Sequence, residues 1–264
     1  MNLPLDPPQA LAGAIVIVVA AKTVAWLLQL RTRNAGIVDA IWAWSLGGLA
    51  VWFAVTGSGD PTVRTVTGLL GGLWGLRLGW HLWVRNWGAE EDWRYAGFRA
   101  RWGDQADRNM WFFFQFQNIF TLILASSAFL VPAAFGVSVP DAAIVLAGLV
   151  WAGSVLGESI ADRQLEAFRQ DPSNRGQVCD RGLWGWSRHP NYFFETLHWL
   201  AYVPLAWGSG WLPATFVAPL VMAFLLLKMS GLPILEAGLV QRKPGYADYM
   251  RRTSAFIPLP PRKG

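Results

Sequence analysis

The chain has 264 residues, of which 53% are apolar and only 15% charged, with 17 Trp and a formal net charge of +5. A single cysteine excludes an internal disulfide and a Cys-type metal cluster, and three histidines without HExxH or paired-Cys spacing give zinc no binding pattern. The pI of about 9.7 needs no nucleic acid as partner, because no nucleic-acid motif is present and basic residues beside anionic lipid headgroups account for it.

The charges are gathered into a few segments separated by long apolar runs, which predicts an all-α polytopic membrane protein in contact with lipid. A helix needs about 20 apolar residues to cross a hydrocarbon core of about 30 Å. Runs of that kind occur at 10–30, 37–56, 63–84, 109–131, 140–160, 190–208 and 212–231, so seven spans are expected in one domain covering residues 1–264. Nineteen of the 22 Lys and Arg fall in or beside 31–36, 85–108, 162–189 and 228–264, all on one side of a seven-span topology, while the opposite loops hold only Arg64. The positive-inside rule then puts the amino terminus outside and the carboxy terminus in the cytoplasm, as expected for a bacterial inner-membrane protein. The first run lacks a basic leader and a small-residue cleavage site and is expected to be a retained helix rather than a signal peptide.

In chain order, Lys22 lies within the first span, where it either snorkels or pairs with a carboxylate. Asn34-Ala-Gly-Ile37 makes a tight turn into the second span, which opens with Asp39; Gly57-Ser-Gly-Asp-Pro61 makes the next turn. The third span carries Gly68, Gly71, Gly72, Gly75 and Gly79, a ladder of small residues that admits another helix at close range. Arg77, His81 and Arg85 follow at i, i+4 and i+8 on one face of it, and that face cannot look at lipid. The segment 88–103 alternates charges with aromatics and is too polar to span; it is expected on the cytoplasmic surface with Trp93, Phe98 and Trp102 in the interface. Gln115, Gln117 and Asn118 in the fourth span are either hydrogen-bonding partners between helices or the lining of a cavity.

The fifth helix continues its periodicity beyond the membrane and carries Glu158 and Asp162 at i, i+4 with Arg169 two turns beyond Asp162. Next comes Arg188-His-Pro-Asn-Tyr192, where Pro190 starts a helix because a first-turn N–H has no acceptor to lose. Asn191, Glu195 and His198 or Trp199 then share one side. Arg188 and His189 can be read as basic membrane anchors and Glu195 as a partner of Arg77. That reading leaves unexplained why an amide, a carboxylate and an imidazole gather on one and a half turns of a membrane helix. The tail from Pro233 to Tyr249 is expected to be helix, loop and helix.

Arg188-His-Pro-Asn-Tyr-x-x-Glu195-x-x-x-Trp199, preceded by Gly182-Leu-Trp and by Glu158-x-x-x-Asp162, resembles the carboxy-terminal signature of the steroid 5α-reductase family. Its bacterial branch is also similar in Asn34-x-x-x-Val-Asp39, Trp74-Gly-Leu-Arg-Leu78, Glu91-Asp-Trp-Arg-Tyr95 and the ending Tyr246 to Pro258. The resemblance implies a seven-helix enzyme that uses NADPH to reduce a carbon–carbon double bond conjugated to a ketone in a lipophilic substrate. It implies cofactor contacts at Glu158, Asp162, Arg169, Arg188, Asn191 and Glu195, and on the third helix at Arg77, His81 and Arg85. The family's carbonyl-holding tyrosine is matched here by Trp74, whose indole N–H donates a hydrogen bond but has no usable acidic proton. Asp39 and Tyr95 are therefore the other candidates for polarising the carbonyl. The competing resemblance is to membrane methyltransferases of the isoprenylcysteine or phospholipid type, which would place S-adenosylmethionine in the same cavity.

Overall fold

A computed structural model describes residues 4–229 and 231–262. Residues 1–3, Ser230 in the predicted seventh span, and Lys263 and Gly264 at the end of the basic tail lie outside the described residues. Those described are helical without strands, with one isolated bridge between Ser187 and Ser254. Two compact units are formed, one from Met1–Ile144 with Tyr202–Ala218 and the other from Val145–Ala201 with Pro219–Gly264.

Five helical stretches are long and apolar enough to cross a membrane: Pro7–Thr32, Ile37–Thr56, Trp93–Phe135, Asp141–Gln170 and Leu212–Arg242. Two of the seven expected runs depart from this. The third folds as a 26-residue helix, Pro61–Asn86, but its glycines and three basic residues keep it outside the apolar group. The sixth is an α-helix only over Pro190–Trp199, followed by 3₁₀ turns at Leu200–Tyr202 and Pro204–Ala206. Ten helical residues rise about 15 Å, half a hydrocarbon core. Pro204 has no N–H to continue the ladder, so an apolar run that reads as one span breaks where the backbone loses a donor.

In the first unit, α1 (Pro7–Thr32), α2 (Ile37–Thr56) and α3 (Pro61–Asn86) pack in sequence. The partner of the α3 glycine ladder is α2. A Cβ added at Gly75 would stand 2.6 Å from the Cα of Gly47 and 2.7 Å from the carbonyl oxygen of Ala43, and one at Gly68 would stand 2.7 Å from the Cβ of Ala54. Only hydrogen at these positions lets the two backbones approach so closely.

The turns are tied down by side chains. Asn34 Nδ2 donates to the carbonyls of Asn86 (2.9 Å) and Ala89 (3.0 Å), and Asn86 Nδ2 donates back to Gly36 O at 2.9 Å. Asp60 caps α3 by accepting from the N–H groups of Thr62 and Val63. The polar segment folds as α4 (Trp93–Trp102). Phe98 stacks on Trp102 and both meet Phe113, while Trp93 remains exposed.

The long stretch after α4 is α5 (Ala106–Ala125), a π turn at Ser126–Leu130 and α6 (Val131–Phe135). Pro132 cannot donate to the carbonyl four residues back, and the turn ahead of it opens. Ser127, inside that turn, donates to Ala214 O at 2.8 Å and accepts from Ala218 N at 2.9 Å, which joins 202–218 to this unit.

The second unit is built on α7 (Asp141–Gln170), whose first residues belong to the other unit, together with α8 (Leu183–Trp186) and α9 (Pro190–Trp199). Phe194 of α9 lies over Gly157 of α7, where any side chain would collide with the ring. Trp184 Nε1 donates to Ala161 O at 2.9 Å, and Gln164 Oε1 accepts from Leu183 N at 2.9 Å. Beyond α10 (Leu212–Thr215) and α11 (Val217–Phe224), the expected helix–loop–helix tail is α12 (Leu232–Arg242) and α13 (Tyr246–Arg252).

Candidate functional site

The candidate residues fall into two sets, one in each unit. In the second unit, Glu158 and Asp162 share a face of α7, with Glu158 buried and Asp162 half-buried. Asn191 Nδ2 reaches Asp162 Oδ1 at 3.3 Å, so the two segments that carry the sequence signature meet through these side chains. Asn191 Oδ1 also accepts from Tyr192 N at 3.1 Å, which fixes the amide orientation. One turn on, buried Glu195 accepts from Trp199 Nε1 at 3.1 Å, an i, i+4 pair that explains why tryptophan stands there. Arg169 is exposed two turns beyond Asp162. An amide, carboxylates and a guanidinium along two adjoining helices form a donor and acceptor set suited to hydroxyl and phosphate groups.

Arg188 is placed differently from the rest of its expected set. Its Nε and Nη2 hold both oxygens of Glu236 at 2.7 and 3.2 Å, and its Nη1 donates to the carbonyls of Met250 (3.0 Å) and Thr253 (2.6 Å). His189 Nε2 lies 3.0 Å from Glu236 Oε1, with its ring stacked on Tyr192. Arg188 N donates to Ser254 O (2.8 Å), Ser187 Oγ to Phe256 O (2.8 Å), and the Tyr249 hydroxyl to the Trp184 carbonyl. Burial pushes the Tyr249 phenol above its ordinary pKa, so it stays a donor. Arg188 thus fastens the tail to the turn that presents Asn191. Glu236 has no counterpart among the candidates read from the sequence, although it is the sole acid between Glu195 and Asp248 and stands beside an apolar run.

In the first unit, the hydroxyl of buried Tyr95 donates to Asp39 Oδ1 at 2.9 Å, bringing together two residues 56 positions apart. Arg94 Nη2 stands 3.9 Å from Asp39 Oδ2, and its Nε donates to Asp92 Oδ1 at 2.9 Å. Burial raises the Asp92 pKa, but hydrogen bonds from the Arg94 side chain and backbone outweigh it and leave the carboxyl below its usual range. Arg85, exposed, adds its charge to the same effect.

Trp74 is fully buried and meets Trp42 edge to face at 6.3 Å, while Arg77 and His81 are half-buried on α3. Arg99, unremarked in the sequence analysis, is the hub that docks α4: it reaches Glu91 (2.8 Å), Gln29 (2.9 Å) and Asp107 (3.1 Å), and Glu91 in turn accepts from Ala35 N. Among the described residues no cluster of three His, Cys, Asp or Glu could hold a metal ion.

The fold and these polar groups define a helical integral membrane protein with ionisable side chains collected on defined helix faces. Residues 25–253 match the family described as a protein of unknown function (DUF1295), and the chain belongs to that family. No match was found among curated proteins or solved structures.

Proposed function

We propose that the protein is a membrane-embedded, NADPH-dependent reductase of a carbon–carbon double bond conjugated to a ketone, acting on a 3-oxo-4-ene steroid or a related lipophilic enone. The observation that carries the reading is the Asn191–Asp162 contact at 3.3 Å beside buried Glu195. It joins the two parts of the signature that resembles the steroid 5α-reductases. Membership of a family matched over most of the chain is consistent with that resemblance.

The donor set suits a dinucleotide. Carboxylates and an amide at Glu158, Asp162, Asn191 and Glu195 match ribose hydroxyls and an exocyclic amine, and the exposed Arg169 matches phosphate. The proposal assigns further phosphate contacts to Arg77, His81 and Arg85, and gives Arg188 the role of positioning Asn191 through the tail. No GxGxxG fingerprint is present, so helix faces replace a Rossmann grip. NADPH, when bound, supplies the hydride that adds to the β-carbon of the enone. One proton completes the saturated ketone, and a polar group at the carbonyl oxygen stabilises the charge that develops there. The substrate enters from the bilayer, and the nucleotide comes from the cytoplasm of a bacterial cell.

Purified protein in detergent should consume NADPH in step with the saturated ketone formed. Asn191→Ala and Glu195→Ala should reduce the thermal stabilisation given by NADPH far more than they lower the unfolding temperature without it. Equal NADPH-induced stabilisation in parent and variants would overturn the assignment. Methyl transfer from S-adenosylmethionine without enone-dependent NADPH loss would overturn the reaction.

A further inference from the structure

Lys22 is fully buried in α1, ten residues before its carboxy-terminal end at Thr32, a rise of about 15 Å from that end. It neither snorkels nor pairs with a carboxylate. Among the described residues its Nζ has one hydrogen-bond acceptor, Gln117 Oε1 on α5, at 3.0 Å. An ammonium carries three donors, and two of them are left without a protein acceptor. Next to Gln117, buried Asn118 gives Nδ2 to Gln115 Oε1 at 2.8 Å, while its own Oδ1 has no partner. Gln115 in turn reaches Thr23 Oγ1, beside Lys22, at 3.2 Å. The seam between α1 and α5 thus holds a cation and three amides that satisfy one another only in part.

Burying an ammonium with no carboxylate at ion-pair distance costs several kcal/mol, and an orphaned amide oxygen costs about 1–3 kcal/mol more. A seam that only had to pack would be served better by leucine and alanine. We propose that Lys22, held on one side by Gln117, binds the ketone oxygen of a lipophilic molecule inside the first unit; the open Oδ1 of Asn118 is an acceptor and marks the polar wall beside that contact without touching the ketone oxygen. The long apolar helices on which these residues lie select a lipophilic ligand. A ketone oxygen accepts two hydrogen bonds, matching the two open donors of Lys22. Asp39 lies within electrostatic reach of Lys22 and disfavours a second carboxylate, so a neutral carbonyl fits better than a fatty acid. The choice of a ketone rests on the reductase reading; within it, Lys22 is the group that polarises the carbonyl, the role for which the Trp74 indole lacks an acidic proton.

The test is binding of a 3-oxo-4-ene steroid labelled with ¹³C at the ketone carbon, followed by infrared difference spectroscopy and by titration in detergent. The parent protein should shift the carbonyl stretch to lower frequency. Lys22→Met keeps the length and apolar packing, and it should lose the shift and weaken steroid binding at least tenfold while NADPH-induced stabilisation is unchanged. Lys22→Gln, which keeps a hydrogen-bond donor but removes the charge, should weaken binding less and shrink the carbonyl shift without abolishing it, and serves as the second variant if Lys22→Met folds poorly. Equal affinity and carbonyl frequency in parent and variants would overturn the proposal and leave Lys22 a partner of water or of Gln117 alone. Binding of a long-chain carboxylate without any ketone binding would overturn it as well. Ketone binding that depends on Lys22 in a protein indifferent to NADPH would sink the reductase and keep the site.

Discussion

Replacing Glu236 by alanine tests whether Arg188 is a tail clamp or a ligand contact. The two side chains are only 9% and 12% exposed and meet through two hydrogen bonds of 2.7 and 3.2 Å. Removing one member of a buried pair strands the other charge and costs about 3–5 kcal/mol. Arg188 would keep its bonds to the carbonyls of Met250 and Thr253, which puts Glu236→Ala at the lower end, about 3 kcal/mol. At about 2–4 °C per kcal/mol for a protein approaching this size, the unfolding midpoint should fall by roughly 6–12 °C. Tryptophan fluorescence during heating in detergent reads the midpoint, and limited proteolysis reads release of the segment after Arg242. The double change Arg188→Met with Glu236→Met removes the stranded charge and should recover only part of the loss, because the carbonyls of Met250 and Thr253 then lose their donor. If Glu236→Ala unfolds within 2 °C of the parent and the tail stays protected, the clamp is not what holds the tail and Arg188 is available to a ligand.

Gly75→Ala should destabilise by about 1–3 kcal/mol, since the new methyl meets backbone on α2. Gly48→Ala, with nothing within 4 Å of the added carbon, should be neutral or stabilise by up to about 1 kcal/mol; equal effects in thermal unfolding would contradict the packing argument. Burial pushes the Cys179 thiol above its ordinary pKa, so less thiolate exists at a given pH. Iodoacetamide should label it more slowly than free cysteine at pH 8 and faster as the pH rises further. Labelling at the free-cysteine rate at pH 8 would show an open thiol. A reporter enzyme fused after Gly264 should be active only when it requires the cytoplasm; activity restricted to a periplasmic reporter would reverse the proposed orientation.

Helix positions were legible where apolar runs and glycine spacing act locally, and the α3 ladder found its partner in the helix just before it. The sixth run reads as a full span because hydropathy sums side chains, whereas Pro204 acts by removing a backbone donor. The Asp39–Tyr95 contact was foreseen only as two separate candidates, because a bond across 56 residues leaves no spacing signal. For the same reason Glu236 could not be matched to Arg188 across 48 residues. Lys22 reads as a cation that snorkels or pairs with a carboxylate, and a neutral amide as its neighbour runs against the rule that a buried cation finds a carboxylate.

The near-contact of α2 and α3 bears on how the first unit can move. Where two helices touch through side chains, rotamer changes let them slide or tilt. Between Gly75 and Gly47 the backbones themselves interlock, and no rotamer exists to absorb a displacement. The hairpin should therefore behave as one stiff plate, and any opening that admits a bulky guest must use softer joints such as the side-chain seam between α1 and α5. Hydrogen exchange should be slowest along the glycine ladder and faster in α1.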